Sequence, residues 1–193
     1  MLRHLVTPLQ PAAAETLAHQ LLADALPRRW SHVVAVAAKA RRIASSLEQD
    51  GELLETTAWV HDVGYAPPVA TTGFHPLDGA RFLAAQAAPA RVVDLVAFHS
   101  SAWAEAREFG LAKELATFED ERSLTRDLLW YCDMTTGPDG TDLGFEDRMA
   151  EVRERYGPDH YVTRALDAGM DERRAAVRRS REWLTSVGLA DQV

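Results

Sequence analysis

A single cysteine, Cys132, excludes an internal disulfide, so nothing in the chain asks for an oxidising compartment. Isoleucine occurs once and tyrosine four times. Strands want β-branched and aromatic residues, so this scarcity, set beside abundant alanine and leucine, favours helices. No apolar run approaches the roughly 18 residues that a membrane span needs. The amino-terminal stretch Met1 to Gln10 has no apolar segment of signal-peptide length before Pro8 and Pro11 interrupt it. The cytoplasm is therefore the expected location. Net positive charge is lacking too. The balance of −8 argues against a general nucleic-acid binder, which needs a basic surface. A small phosphorylated substrate is compatible with that balance, because bound divalent ions would reverse the local potential.

What the chain does hold is helical periodicity. Its 193 residues suffice for one domain with a real core and are too few for two comfortable ones. Pro11 to Ala25 carries a Leu17, Leu21, Leu22 stripe that Pro27 ends. From Arg28 to Gln49, apolar residues fall at Val33, Val36, Ala37, Ala40, Ile43, Ala44 and Leu47, a 3.6-residue pattern. Asp50-Gly51 breaks it, and a third helix spans Glu52 to about Asp62. Helices are also expected over 76–88, 89–99, 122–133, 146–155, 159–168 and 171–187. The Gly-, Pro- and Thr-rich stretch 63–74 reads as a loop, a lid or a pocket wall. Ser100 to Phe118 is ambiguous. No convincing strand alternation and no internal repeat is present. The expected fold is an all-α single domain over 1–193, with about eight to nine helices.

Polar groups stand where these apolar helices begin and end. His32 lies near the start of one and His61-Asp62 at the end of another. His75 precedes a helix, and His99 and Asp133 close two more. A buried imidazole or carboxylate is costly unless it is paired or metal-bound, and six such groups at helix termini are hard to explain separately. The other three histidines, His4, His19 and His160, read as surface residues, with His160 placed to cap a helix.

The ordered set His32, His61-Asp62, His75, His99, Asp133 resembles the HD-domain metal-dependent phosphohydrolases, in their six-ligand, two-metal branch. The likeness covers about residues 25–150, with residues 151–187 expected as helices packed on that core. It includes Arg29-x-x-His32, the segment His61-Asp62-Val63-Gly64, and His75-Pro76-Leu77-Asp78-Gly79-Ala80. The resemblance implies one ion held by His32, His61, Asp62 and Asp133, and a second held by Asp62, His75 and His99. Imidazole and carboxylate suit Fe, Mn or another transition metal, and the absence of thiolate ligands speaks against a structural zinc site. Two ions roughly 3.5–4 Å apart can share a hydroxide and clamp a phosphoryl oxygen, so no separate catalytic serine or cysteine is required.

The substrate expected on this reading is a small phosphate ester or anhydride, in particular a nucleotide, and its phosphate calls for cations. Arg29 is the preferred candidate because an arginine recurs there in the resembled family. Arg126, seven residues before Asp133, shares its helix face. Arg28, Arg81 and Lys113 are further candidates. Ser100 and Ser101 resemble a hydroxyl-bearing segment of bacterial HD-type diadenosine tetraphosphate hydrolases, and Thr135-Thr136-Gly137 a turn near substrate in those enzymes. Both segments serve equally well as caps and turns. Trp103 is the tryptophan placed to touch a base. Arg173, Arg174, Arg178, Arg179 and Arg181 read as a solvated helix face diluted by Asp171, Glu172 and Glu182.

Two other readings share the ligand set. HD-domain diiron oxygenases commonly carry a lysine three residues after the aspartate, where this chain has Tyr65. A non-catalytic nucleotide sensor would keep the fold and lose turnover. A homodimer through an exposed apolar stripe is open, but no heptad repeat specifies one.

Overall fold

The computed structural model describes residues 9–190, and among these it contains no strand, only an isolated bridge between Thr136 and Asp142. The helices are α1 (Pro11–Leu22), α2 (Pro27–Ala44), α3 (Gly51–Val60), α4 (His75–Ala85), α5 (Ala90–Ala97), α6 (Ala102–Glu108), a single turn α7 (Ala112–Leu115), α8 (Leu124–Met134), α9 (Phe145–Tyr156), α10 (Tyr161–Ala168) and α11 (Met170–Ser186). The all-α expectation holds. The ambiguous stretch after His99 supplies α6 and α7, the elements beyond the expected set. None of the helices among the described residues is long and apolar enough to cross a membrane. His4 lies outside the described residues.

Local chemistry accounts for the boundaries. Proline occupies the first turn of α1, α2 and α4, where its missing N–H is no loss. The second helix stops at Ala44, short of Gln49: tighter turn bonds follow (Ser46 N to Ile43 O, 3.0 Å; Leu47 N to Ala44 O, 3.1 Å), and the left-handed Glu48 (φ +46°) keeps the helix from resuming. The chain instead makes a short 3₁₀ turn, Glu48–Asp50. Two more such turns, Val63–Tyr65 and His99–Ser101, follow directly on the ligand segments. His160 caps α10, its Nδ1 accepting from Val162 N at 3.2 Å.

α3 is the central element, packed against α1, α2, α5 and α8, while α4 lies on α5 and α11 on α8. Val33, Val36 and Ile43 of α2, Leu54 and Ala58 of α3, Leu77 and Leu83 of α4, Val96 of α5, and Leu128 and Leu129 of α8 are fully buried. At about 1.5–3 kcal/mol for each large aliphatic side chain, this burial fixes the helix ends relative to one another. The start of α2, the end of α3, the start of α4 and the ends of α5 and α8 then meet at one place.

Candidate metal centre

At that place three histidines are oriented by backbone carbonyls. His32 Nδ1 donates to Gly137 O (2.9 Å), His61 Nδ1 to Ala58 O (2.8 Å) and His99 Nδ1 to Val96 O (2.6 Å). Each ring therefore turns its Nε2 lone pair inward. His61 Nε2 is fully buried and has no hydrogen-bond partner. Burial lowers the pKa of His61, so that ring is neutral and its orphaned nitrogen is a free ligand. His32 Nε2 faces Asp133 Oδ1 at 3.0 Å. His75 Nε2 faces His99 Nε2 at 3.0 Å. A cation among these inward-facing nitrogens and the Asp133 oxygen would give the orphaned His61 nitrogen a partner. The donor set fits a divalent metal.

The donors form two groups, His32–His61–Asp133 and Asp62–His75–His99, within each of which the ligand atoms lie within 4.8 Å of one another. Asp62, 2% exposed, stands between them. Its Oδ2 lies 3.4 Å from His61 Nε2 and 3.8 Å from His32 Nε2, while Oδ1 lies 3.4 Å from His75 Nε2 and 3.7 Å from His99 Nε2. Burial alone would raise the Asp62 carboxyl, but Arg29 and the surrounding histidines outweigh it and hold the carboxyl well below the usual carboxylate range. Burial likewise opposes protonation of His99, but the Asp62 carboxylate more than offsets it and raises that pKa. His75 goes the other way, well below normal, through burial and the neighbouring His99.

Gly64 explains how the turn after Asp62 reaches His75. A Cβ at this position would lie 1.9 Å from His75 O and 2.8 Å from Gly79 N, so only glycine lets the two backbones touch. The loop before His75 is a wall. Asp78, 2% exposed, accepts from Thr71 N (2.9 Å), Thr71 Oγ1 (2.7 Å), Thr72 N (2.9 Å), Thr72 Oγ1 (2.9 Å) and Gly73 N (3.2 Å), which staples the loop to α4.

Arg29 Nη1 donates to Asp62 Oδ2 at 2.7 Å, and its guanidinium lies 4.1 Å from the centre of the Tyr65 ring, which stacks on His75 at 3.9 Å. The ligands open into a cleft whose far wall includes Glu105 of α6, Arg148, Arg155 and Tyr156 of α9, Tyr161 of α10 and Arg173 of α11. The sequence reading missed these six as site residues. Glu105 alone left a trace, as a lone carboxylate within the small apolar run Ala102–Ala106. Its carboxylate makes no hydrogen bond or ion pair among the described residues. Burial raises its pKa and Asp62 adds to that, against the opposing pull of His99 and Arg173.

The other candidates are placed elsewhere. Arg126 shares a face with Asp133 but sits about 10.5 Å back along the helix, two turns at 1.5 Å per residue. There its Nη1 binds Asp120 (2.6 Å) and Glu172 (3.4 Å), its guanidinium covers Trp130 at 4.5 Å, and it does not line the cleft. Arg28, Arg81 and Lys113 are exposed and also outside that lining. Trp103 donates its indole N–H to Glu172 Oε2 at 2.5 Å. Thr135 accepts from Lys39 Nζ (2.9 Å), and Thr136 donates to Cys132 O (2.7 Å), so the turn after Asp133 works internally and presents Gly137 O to His32. Arg174, Arg178 and Arg179 pair with Glu146, Glu182 and Asp127, but Arg173 is 6% exposed, contrary to the solvated face expected for it.

A helical scaffold that converges histidine and carboxylate donors on a dry pocket defines a metal-binding domain. The HD domain family matches residues 29–133, from Arg29 through the last ligand, and this chain belongs to it. The family generally comprises metal-dependent hydrolases that bind divalent ions, and the two donor groups are where this chain can hold them. Neither comparison with curated proteins nor comparison with solved structures returns a match.

Proposed function

We propose that the protein is a dinuclear phosphohydrolase that cleaves a phosphate ester or anhydride bond of a small molecule, specifically a nucleotide. The observation that carries the proposal is Asp62, whose two oxygens face two separate donor groups. On this reading His32, His61, Asp62 and Asp133 hold one ion, and Asp62, His75 and His99 the other, with Fe or Mn suited to the donors. When bound, the ions supply an ionised water and positive charge for a phosphoryl oxygen.

The chain's own residues supply the rest. Arg29, anchored on Asp62 and flattened against Tyr65, keeps guanidinium donors beside the ligands for a substrate phosphate. Arg148 and Arg155 add positive charge at the far wall, where each also pairs with Glu151. Tyr156 and Tyr161, packed on either side of His160, line the cleft where a nucleobase would lie. Glu105 faces the cleft with its pKa raised by burial, and it is the carboxyl placed to give the leaving oxygen its proton. Ser100 after His99 fits the likeness to the bacterial diadenosine tetraphosphate hydrolases, which makes a dinucleoside polyphosphate the first substrate to try.

The diiron oxygenase uses the same six ligands. The observation that favours hydrolysis is Tyr65, which stacks on His75 where those oxygenases commonly carry a lysine. Metal analysis of protein purified without added metal, followed by a nucleotide and phosphodiester panel, tests the reading. Two equivalents of metal and metal-dependent phosphate release are expected, and both are lost in Asp62→Ala. Oxygen consumption with a mixed-valent iron signal, or ligand binding with no turnover, would overturn it.

A further inference from the structure

We infer that Arg173, on α11 and beyond the segment that matches the family, is a positioning residue of the metal centre: it holds Ser100 in the backbone conformation from which the Ser100 hydroxyl braces Asp133. The inference rests on reading His32, His61 and Asp133 as metal ligands. Ser100 (φ +51°, ψ +38°) and Ser101 (φ +60°, ψ +44°) are successive left-handed residues, and neither is glycine. Each costs on the order of 1–2 kcal/mol, so the pair persists only where its surroundings hold it.

The Arg173 guanidinium does the holding. Nε and Nη2 donate to Ser100 O at 3.2 and 2.9 Å, and Nη1 donates to Leu166 O at 2.7 Å and Ala165 O at 3.2 Å. One planar group thus ties the turn after His99 to the carboxyl end of α10. Arg173 forms no ion pair among the described residues, and burial pushes its pKa down to about 10, so it stays charged at neutral pH. A charged side chain buried against carbonyls alone is a poor way to gain stability. Space is also kept for it. A Cβ on Gly169 would lie 2.4 Å from Arg173 Nη1 and 2.5 Å from Ser101 Oγ. The adjacent Glu172 takes the other side of the turn, accepting from Trp103 Nε1 (2.5 Å) and Ser101 Oγ (3.3 Å).

The turn held in this way delivers the Ser100 hydroxyl to Asp133 Oδ2 and leaves Oδ1 facing His32 Nε2 at 3.0 Å. A hydroxyl on one carboxylate oxygen directs the other toward the metal, and partners of this kind are typically worth about 10–100-fold in metal affinity.

The test is Co²⁺ affinity by competition with a chromophoric chelator, run beside circular dichroism and melting of the metal-free proteins. Ser100→Ala and Arg173→Met are each expected to weaken Co²⁺ binding about tenfold or more. The double variant should be no weaker than the worse single variant, and Arg173→Lys should restore part of the loss. A folded Arg173→Met chain with wild-type affinity, or losses that multiply in the double variant, would overturn the inference. If Arg173→Met does not fold, Gly169→Ala carries the test, because it keeps every donor and crowds the guanidinium. Ser100→Ala at wild-type affinity overturns the inference by itself. A wild-type chain that takes up metal and hydrolyses nothing sinks the proposed function and leaves the positioning role standing. A wild-type chain that takes up none sinks both.

Discussion

Gly64→Ala is the sharpest test of how the two donor groups are joined. The added Cβ would lie 1.9 Å from His75 O, 2.7 Å from His75 C and 2.8 Å from Gly79 N. All three are backbone atoms, so no side chain can swing away. Reaching an ordinary 3.4 Å contact requires the Asp62 turn and the start of α4 to part by about 1.5 Å. Asp62 Oδ1 and His75 Nε2 are 3.4 Å apart, and a displacement of that size removes one carboxylate oxygen from the second donor group. Overpacking typically costs 1–3 kcal/mol, and backbone against backbone belongs at the upper end, so about 3 kcal/mol is expected. For a chain of this size that is a fall in Tm of about 6–12 °C. Metal stoichiometry should drop from two to one, with the His32 group still loaded. Gly110→Ala is the control, since φ there is +69° but nothing lies within 4 Å of the added atom. It should cost about 1 kcal/mol with metal content unchanged. Differential scanning fluorimetry and plasma mass spectrometry of the loaded proteins read both quantities. A Gly64→Ala protein that melts within 2 °C of wild type (roughly the shift that 1 kcal/mol produces) and keeps both metals would refute the reasoning.

Asp78→Ala should cost about 3 kcal/mol, the value of two charge-assisted hydrogen bonds, because the amides of exposed Thr71 and Gly73 regain water. Burial tends to raise the Asp78 carboxyl, but the threonine hydroxyls and loop amides win and lower it. A depressed acid stabilises fully above its unfolded pKa of about 3.9 and loses that contribution as pH falls through the folded value. The gap in Tm between wild type and variant should therefore narrow below about pH 4; a constant gap would assign the loss to packing. Glu105→Gln should lower kcat about a hundredfold with metal content intact. It should also raise Tm at pH 8, because a raised acid pKa means the folded state is penalised for carrying the charge, and the amide removes that penalty. Unchanged kcat would exclude Glu105 from proton transfer. Chelation should lower Tm by about 5–10 °C, since metal at a hundred times its Kd contributes about 2.7 kcal/mol; equal melting with and without chelator would mean no ion binds the folded site.

The convergence of the six candidate ligands was legible in the sequence for a physical reason. His32, His61, Asp62, His75, His99 and Asp133 each interrupt an apolar pattern at a helix end, where solvent does not explain a polar group. Helix type was legible from the 3.6-residue period, which the buried Val33, Val36, Ala37, Ala40 and Ile43 of α2 follow, whereas α8 is buried all round from Thr125 to Cys132. The break after His99 was not, since Ser100 and Ser101 take left-handed angles that nothing local requires; the reason lies seventy-three residues away at Arg173. Arg126 shows the limit of helical arithmetic. A seven-residue spacing gives a shared face but says nothing of height along the axis, and that height put its guanidinium on Asp120 and Trp130.

The same limit hid the far wall of the cleft. In sequence, Arg173 is indistinguishable from Arg174, Arg178 and Arg179, yet it is buried, while each of those is exposed and pairs with a carboxylate. Arg148, Arg155 and Tyr156 likewise sit on a helix whose polarity is that of any amphipathic surface helix. What distinguishes them is the path of the chain after Asp133, which carries α9, α10 and α11 back across the ligands. The family match ends at Asp133, so both candidate donor groups lie within it and most of the opposing wall lies beyond it. If the proposed chemistry is right, the two parts separate in mutagenesis. Changes at His32, His61, Asp62, His75, His99 and Asp133 should act on metal loading and kcat together. Tyr156→Ala and Arg148→Ala should raise KM for a nucleotide with metal loading unchanged, because they touch the substrate end alone. Arg173 is the exception that joins the parts, and it is the one residue of that wall whose loss should register in the metal as well.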